Sequence, residues 1–198
     1  MLSDGLHDVP AGKVAMVVTH LEMRASPSLE PLKLPKSVQF RAVDADVAWF
    51  RDVFRHVGSL KWLWYGRLKM PDDVLGDILT DPKVEHYTLS KDGRDEAILE
   101  LDFREAGACE LSYFGMTDAL IGTGCGRFLM TKAIERAWST PIDRFHVHTC
   151  TLDSPQALSF YRRNGFTPTH QQIEIDDDPR LLGILPESAG PNVPVFRP

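Results

Sequence analysis

The chain has 198 residues, 43% of them hydrophobic and 25% charged, with a formal net charge of −6. That is ordinary for one well-buried globular domain, and the acidity argues against a general nucleic-acid binder. Cys109, Cys125 and Cys150 are an odd set without a Cys-x-x-Cys pair, so no disulfide framework is expected. No apolar run approaches bilayer length and nothing near Met1 reads as an export signal, so the expectation is a reduced, cytoplasmic protein with no membrane partner.

Met1 to Gly12 is polar and reads as loose. Lys13 to Met23 carries Val14, Met16, Val17 and Val18 and predicts a first strand. Pro27, Pro31 and Pro35 make Ala25 to Lys36 a connection. Asp44 or Asp46 caps a helix running to about His56, with Val47, Phe50, Val53, Phe54 and Val57 on one face and Gly58 as its stop. Trp62, Trp64 and Tyr65 then form an aromatic knot before a short helix that Pro71 opens and Leu79 closes. Glu85 to Ser90 and Glu96 to Phe103 alternate as strands, with Asp92-Gly93 as the hairpin turn between them. Cys109 to Gly115 predicts the next antiparallel strand.

Gly122, Gly124 and Gly126 follow, between that strand and a helix predicted over Arg127 to Ser139. Glycines at a helix start let backbone N–H groups approach an anion such as phosphate; a plain tight turn is the alternative. A P-loop would need Lys-Ser or Lys-Thr, where Arg127-Phe128 stands, and a Rossmann loop belongs to an opening strand, so neither nucleotide motif fits. Arg144 to Cys150 is a strand parallel to Cys109–Gly115. Ser154-Pro155 and Asn164-Gly165 mark the two ends of a short helix, and Phe166 to Ile175 is the last strand. Pro186 to Pro198 reads as a proline-rich arm, extended or disordered.

This order, with Ile121-Gly122-Thr123-Gly124-Cys125-Gly126 and with Ser154 to Tyr161 followed by Gly165-Phe166, resembles the GNAT superfamily of acyl-CoA-dependent N-acyltransferases. The family motifs are Gln/Arg-x-x-Gly-x-Gly/Ala and Asn-x-x-Ala-x-x-x-Tyr, so Ile121 and Ser154 depart from them. The resemblance implies an α+β fold: a mostly antiparallel central sheet with one splayed parallel strand pair and about four helices. It implies a single domain over 13–185, an N-terminal segment over 1–35 that includes the first strand, and a tail over 186–198. It also implies acetyl transfer from acetyl-CoA to a primary amine of a small molecule, in a direct ternary complex. A protein N-terminal or lysine acetyltransferase and a non-catalytic CoA-binding sensor are the alternatives, and a homodimer is left open.

By the same resemblance, Phe114, Gly115 and Met116 would pair with pantetheine. Ile121, Gly122, Thr123, Gly124, Cys125, Gly126 and Arg127 would hold the pyrophosphate, with Ser154 beside the cofactor. Tyr161 would serve the leaving thiolate as general acid. A lysine-like amine costs about 4.6 kcal/mol to neutralise at pH 7, so a base is needed. Glu110 stands at the family's position for one, with His146 and His148 as competitors. Trp62, Trp64, Tyr65 and His148 are assigned to the acceptor. His146, His148 and Cys150 alternate on one strand face, which admits zinc ligation or a Cys150 nucleophile, but no fourth ligand is evident and no metal is expected.

Overall fold

The computed structural model describes residues 3–198. Of the opening stretch, Met1 and Leu2 lie outside the described residues, and Ser3 to Pro10 contains neither helix nor strand. The elements are β1 (Lys13–Met23), β2 (Val38–Val43), α1 (Val47–Phe54), a π-helical stretch (Arg55–Ser59), α2 (Leu60–Trp62), α3 (Gly66–Lys69) and α4 (Asp72–Leu79). There follow β3 (Val84–Lys91), β4 (Arg94–Asp95), β5 (Ala97–Asp102), β6 (Ala108–Met116), α5 (Cys125–Ala137), β7 (Arg144–Cys150), α6 (Ala157–Arg163) and β8 (Thr167–Asp177). The strands form a single eight-stranded sheet of order β2-β3-β5-β6-β7-β1-β8, with β4 extending the β3 hairpin. Among the described residues only β6 and β7 run parallel.

Local chemistry explains most of these boundaries. The Asp46 Oδ1 accepts the Trp49 N–H at 2.7 Å and caps α1. Asp92 and Gly93 both have positive φ, 51° and 81°, as a two-residue hairpin turn of right-twisting strands requires. Gly58 does not stop the first helix. The chain stays helical through the π-helical stretch and α2 until Leu63, which takes a left-handed φ of 56°. Gly58 serves packing instead: a Cβ there would lie 2.1 Å from the ring of Trp64. At the other motif, α6 begins at Ala157 with Gln156 in the cap position, later than Ser154-Pro155 predicts. The Ser154 Oγ still accepts the Gln156 N–H, at 3.4 Å.

The position of β1 is not a local property. It lies between β7 and β8 and is antiparallel to both, so the first strand of the chain is interior to the far half of the sheet. Its residues are apolar on both faces as that place demands: Val14, Met16 and Val18 are buried on one side, Leu21 and Met23 on the other. Helices α5 and α6 cover the second of these faces, with Leu129, Met130, Ala133 and Ile134 packed on Leu99, Leu101, Leu111, Phe145 and Val147. Helices α1 and α4 cover the first face over β5, through Phe50, Phe54 and Leu75 against Ile98. Each fully buried aromatic or leucine contributes roughly 1.5–3 kcal/mol.

The segment after β8 is not a free arm. Leu185 and Ala189 are buried with Val14, Met16, Val18, Leu63 and Tyr65. The buried Arg180 guanidinium is paired with Asp178 at 2.7 Å and donates to the carbonyls of Ala189 and Val193 at 3.1 and 2.8 Å. Gly12 N–H donates to the Phe196 carbonyl at 2.6 Å, tying the tail to the start of β1. Prolines remove donors but not acceptors, and the arginine uses those acceptors.

Gly58→Ala is expected to destabilise the protein by at least about 3 kcal/mol, the upper part of the range for overpacking. Gly76→Ala in α4, whose new methyl would meet Val47 at an ordinary 3.8 Å, should stabilise by roughly 0.5–1 kcal/mol. Urea unfolding midpoints of the two variants check both signs.

Candidate active site

Strands β6 and β7 pair only from Ala108↔Arg144 to Glu110↔His146 and then part, although β6 continues to Met116 and β7 to Cys150. A bulge sits at the parting. Leu111 pairs with Leu101 and Tyr113 with Glu100, so Ser112 is an extra residue on β6 and turns the strand. The edge of β6 from Leu111 onward therefore faces no strand, and a cavity of about 790 Å³ passes through the opening. A cavity of this size suits a cofactor-sized ligand.

At one end the wall is made by Phe114, Gly115, Met116, Ile121, Gly122, Gly126, Ser154 and Phe160. Gly122 and Gly124 have φ of 78° and 86°, and nothing lies within 4 Å of where either side chain would be. Among the described residues, the N–H groups of Gly122, Gly124, Gly126 and Arg127 meet no backbone acceptor, while those of Ile121 and Thr123 are taken by Asp118 and Leu120. Free N–H groups at the start of the 13-residue helix α5 form a cradle for an anion. Thr123, Gly124, Cys125 and Arg127 lie outside the cavity wall; the Cys125 side chain is buried in the core beneath the loop.

Away from the glycine loop the cavity is lined by Trp64, Tyr65, Lys69 and His148, together with Met16, Val18, Cys150, Glu174 and Asp176, whereas Trp62, whose ring lies 5.2 Å from the Lys61 ammonium that pairs with Asp118, lines it nearer the loop. Trp64 reaches across the cavity. Its Nε1 donates to Asp153 Oδ1 at 2.8 Å, and Asp153 Oδ2 accepts from Thr149 Oγ1 at 2.7 Å and from the Cys150 N–H at 2.8 Å. The same indole lies on Gly115, where a Cβ would come within 2.8 Å of it. Asp153, Glu174 and Asp176 are missing from the sequence reading. The alternation of His170, Gln172, Glu174 and Asp176 in the last strand is the signal that marks them as one face.

Glu110 stands behind the cavity wall rather than in it, and its carboxylate faces His148, with Oε1 3.4 Å from Nδ1. The His148 hydrogen bond holds the Glu110 carboxyl below the usual carboxylate range, and Glu110 in turn raises His148 above the usual histidine value. His146 is lowered by burial. Burial pushes the Cys150 thiol up to about 11, which removes the thiolate that a cysteine nucleophile needs. Among the described residues no group of three or more His, Cys, Asp or Glu side chains is arranged to hold a metal ion. Tyr161 is buried in the core beside Phe114, Phe160 and Phe166 while also lining the cavity, and burial raises its hydroxyl well above the ordinary tyrosine value.

No protein-family model matches the chain. A structure described as a GCN5-related N-acetyltransferase from Sphaerobacter thermophilus superposes with a TM-score of 0.61 at 11% identity, covering 82% of this chain and 52% of that one. A second, from Kribbella flavida, gives 0.55 at 17% identity, covering 87% of this chain and 63% of that one. The chain has the GCN5-related N-acetyltransferase fold. In sequence, the mycothiol acetyltransferase of Jonesia denitrificans is 33% identical over 79 residues, which are 40% of this chain and 25% of that protein. The chain thus spans a quarter of the curated relative it matches and little more than half of the first of these solved acetyltransferase structures.

In this acetyltransferase fold the imidazole of His148 is expected to titrate above its ordinary value of about 6.5. Glu110→Gln removes the largest cause of that upward shift, so the midpoint should fall. An NMR titration of the His148 ring in both proteins checks the sign.

Proposed function

We propose that the chain catalyses transfer of an acetyl group from acetyl-CoA to a primary amine of a small molecule. The observation that carries this reading is a single cavity, opened by the parting of β6 and β7, with unpaired backbone N–H groups at one end and a carboxylate-backed histidine at the other. The curated relative, by name an acetyltransferase, supports the reaction class over part of the chain. The residues present suit acetyl-CoA: the glycine-loop N–H groups match a pyrophosphate, and the free edge of β6 matches the amides of a pantetheine arm laid down as an added strand. Ile121 costs this arrangement little, because its side chain is exposed and the donors are backbone.

Acetyl-CoA supplies the activated acetyl thioester, whose C–S bond breaks as the C–N bond forms. His148 takes one proton from the acceptor ammonium, and Glu110 orients the imidazole and stabilises the imidazolium. The base is thus the histidine at the cavity, with the glutamate as its positioning partner. Tyr161 keeps its proton throughout the neutral range and donates a hydrogen bond to the departing sulfur, which ends with the second proton lost by the amine. Trp64 closes the acceptor side through Asp153, which favours a small acceptor over a peptide lying in an open groove.

Calorimetric titration with acetyl-CoA, in parallel with dephospho-CoA and NADH, should give saturable binding of acetyl-CoA without binding of NADH; no binding of acetyl-CoA overturns the reading. In thiol-release assays Tyr161→Phe should lower kcat by roughly 10²-fold, the size of losing one positioned hydrogen-bond donor to developing charge, with little change in acetyl-CoA affinity. An unchanged kcat at every pH removes Tyr161 from the chemistry.

A further inference from the structure

The acceptor end of the cavity carries more negative charge than its own cations neutralise. Glu174 and Asp176 project from β8 on the face of the sheet that also bears Val18, Cys150 and His148, in the register Met16↔Glu174 and Val14↔Asp176 on one side of β1 and Val18↔Cys150 and His20↔His148 on the other. Asp176 is occupied: Lys69 donates to its two oxygens at 3.0 and 2.7 Å, and the same ammonium lies 5.5 Å from the centroid of the Tyr65 ring. Lys69 and Tyr65 both line the cavity. The protein therefore already holds one of its own ammonium groups in this wall, between a carboxylate and an aromatic face, which is how such a group is recognised when partly desolvated.

Glu174 lines the same wall, and among the described residues no cation is paired with it. It is also within electrostatic reach of His148, Cys150 and Tyr65, each of which it pushes upward. Its carboxylate and the reacting end at His148 thus face one chamber. Asp153 adds a further negative charge there, but its oxygens are taken by Trp64, Thr149 and the Cys150 N–H.

Resting on the acetyl-transfer reading for its account of the reacting amine, we propose that the acceptor is dicationic: one amine is presented to His148, and a second ammonium is bound by Glu174. A monoamine would leave the exposed Glu174 carboxylate to water and forgo a charge-assisted hydrogen bond. A diamine fills both positions and enters a chamber whose potential is already negative.

The test is equilibrium binding of cadaverine and of its isosteric amino alcohol, 5-aminopentanol, to the wild-type chain and to Glu174→Gln, with thiol release from acetyl-CoA followed separately. Glu174 is on an exposed edge strand, so the substitution leaves the fold intact, and circular dichroism melting confirms it. Wild type is expected to bind cadaverine at least about tenfold more tightly than the amino alcohol, the low end for a hydrogen bond to a charged group, and Glu174→Gln to bind the two alike. Equal affinities in wild type, or a preference that survives Glu174→Gln, overturns the proposal. Cadaverine binding through Glu174 without thiol release would leave the dication site standing and remove the transfer reaction. Thiol release with equal use of both amines would do the reverse.

Discussion

Everything distinctive in this molecule depends on two strands that stop pairing. Parallel β6 and β7 share three residue pairs and then separate at Glu110 and His146. Separation exposes a strand edge inside the protein, and unpaired backbone groups there are costly unless something else meets them. The extra residue at Ser112 gives the turn its direction. Trp64 then fixes its width: the indole rests against Gly115 on β6 and Gly58 on the helix above, and its N–H is held by Asp153 beyond β7. A methyl at either glycine would move the indole, and the indole sets how far the acceptor side can open.

Below this wedge the protein accepts an energetic burden. Glu100, fully buried opposite Tyr113, is paired with Arg67 and accepts from His86 at 3.1 Å. A buried ion pair adds little net stability over a well-packed apolar substitute, yet losing one partner costs about 3–5 kcal/mol. Its place explains it better than its energy does. It joins α3, which carries Arg67, to β5 and β3 directly beside the bulge, so the helical layer and the bent strand are held in one arrangement.

Much of this was legible in the chain. Lys13–Met23 and Arg144–Cys150 are strands over the residues that their composition marks, and Asp92-Gly93 and Asn164-Gly165 turn where turn chemistry says they must. These features are local, set by neighbours within a few residues. What could not be read is what depends on distant partners. The place of β1 is decided by β7 and β8, more than a hundred residues later. Gly58 has the look of a helix stop because glycine usually serves that purpose; here it makes room for an indole six residues on. The proline-rich tail reads as an arm because prolines cannot donate, whereas Arg180 supplies the donors. At the site, the motifs pointed to the glycine loop and Tyr161, but Glu174, Asp176 and Asp153 belong to no motif. They meet only through the sheet.

The two ends of the cavity are electrostatic opposites, and that contrast orders the site. Backbone N–H groups at the start of α5 present partial positive charge without any ionised side chain, so that end attracts an anion and keeps its character across the whole neutral pH range. The other end has Asp153, Glu174 and Asp176 in its lining, and His148 there is backed by the Glu110 carboxylate from behind the wall. In the proposed reaction a polyanionic cofactor and a cationic acceptor are drawn to different ends of the cavity, and each is repelled from the other's place. The same field opposes the chemistry it serves, because carboxylates that attract an ammonium also hold its proton in place. In the proposed reaction Glu110 resolves the conflict by acting through His148: the negative charge is kept one side chain back, and the group that meets the amine is an imidazole whose hold on a proton Glu110 strengthens.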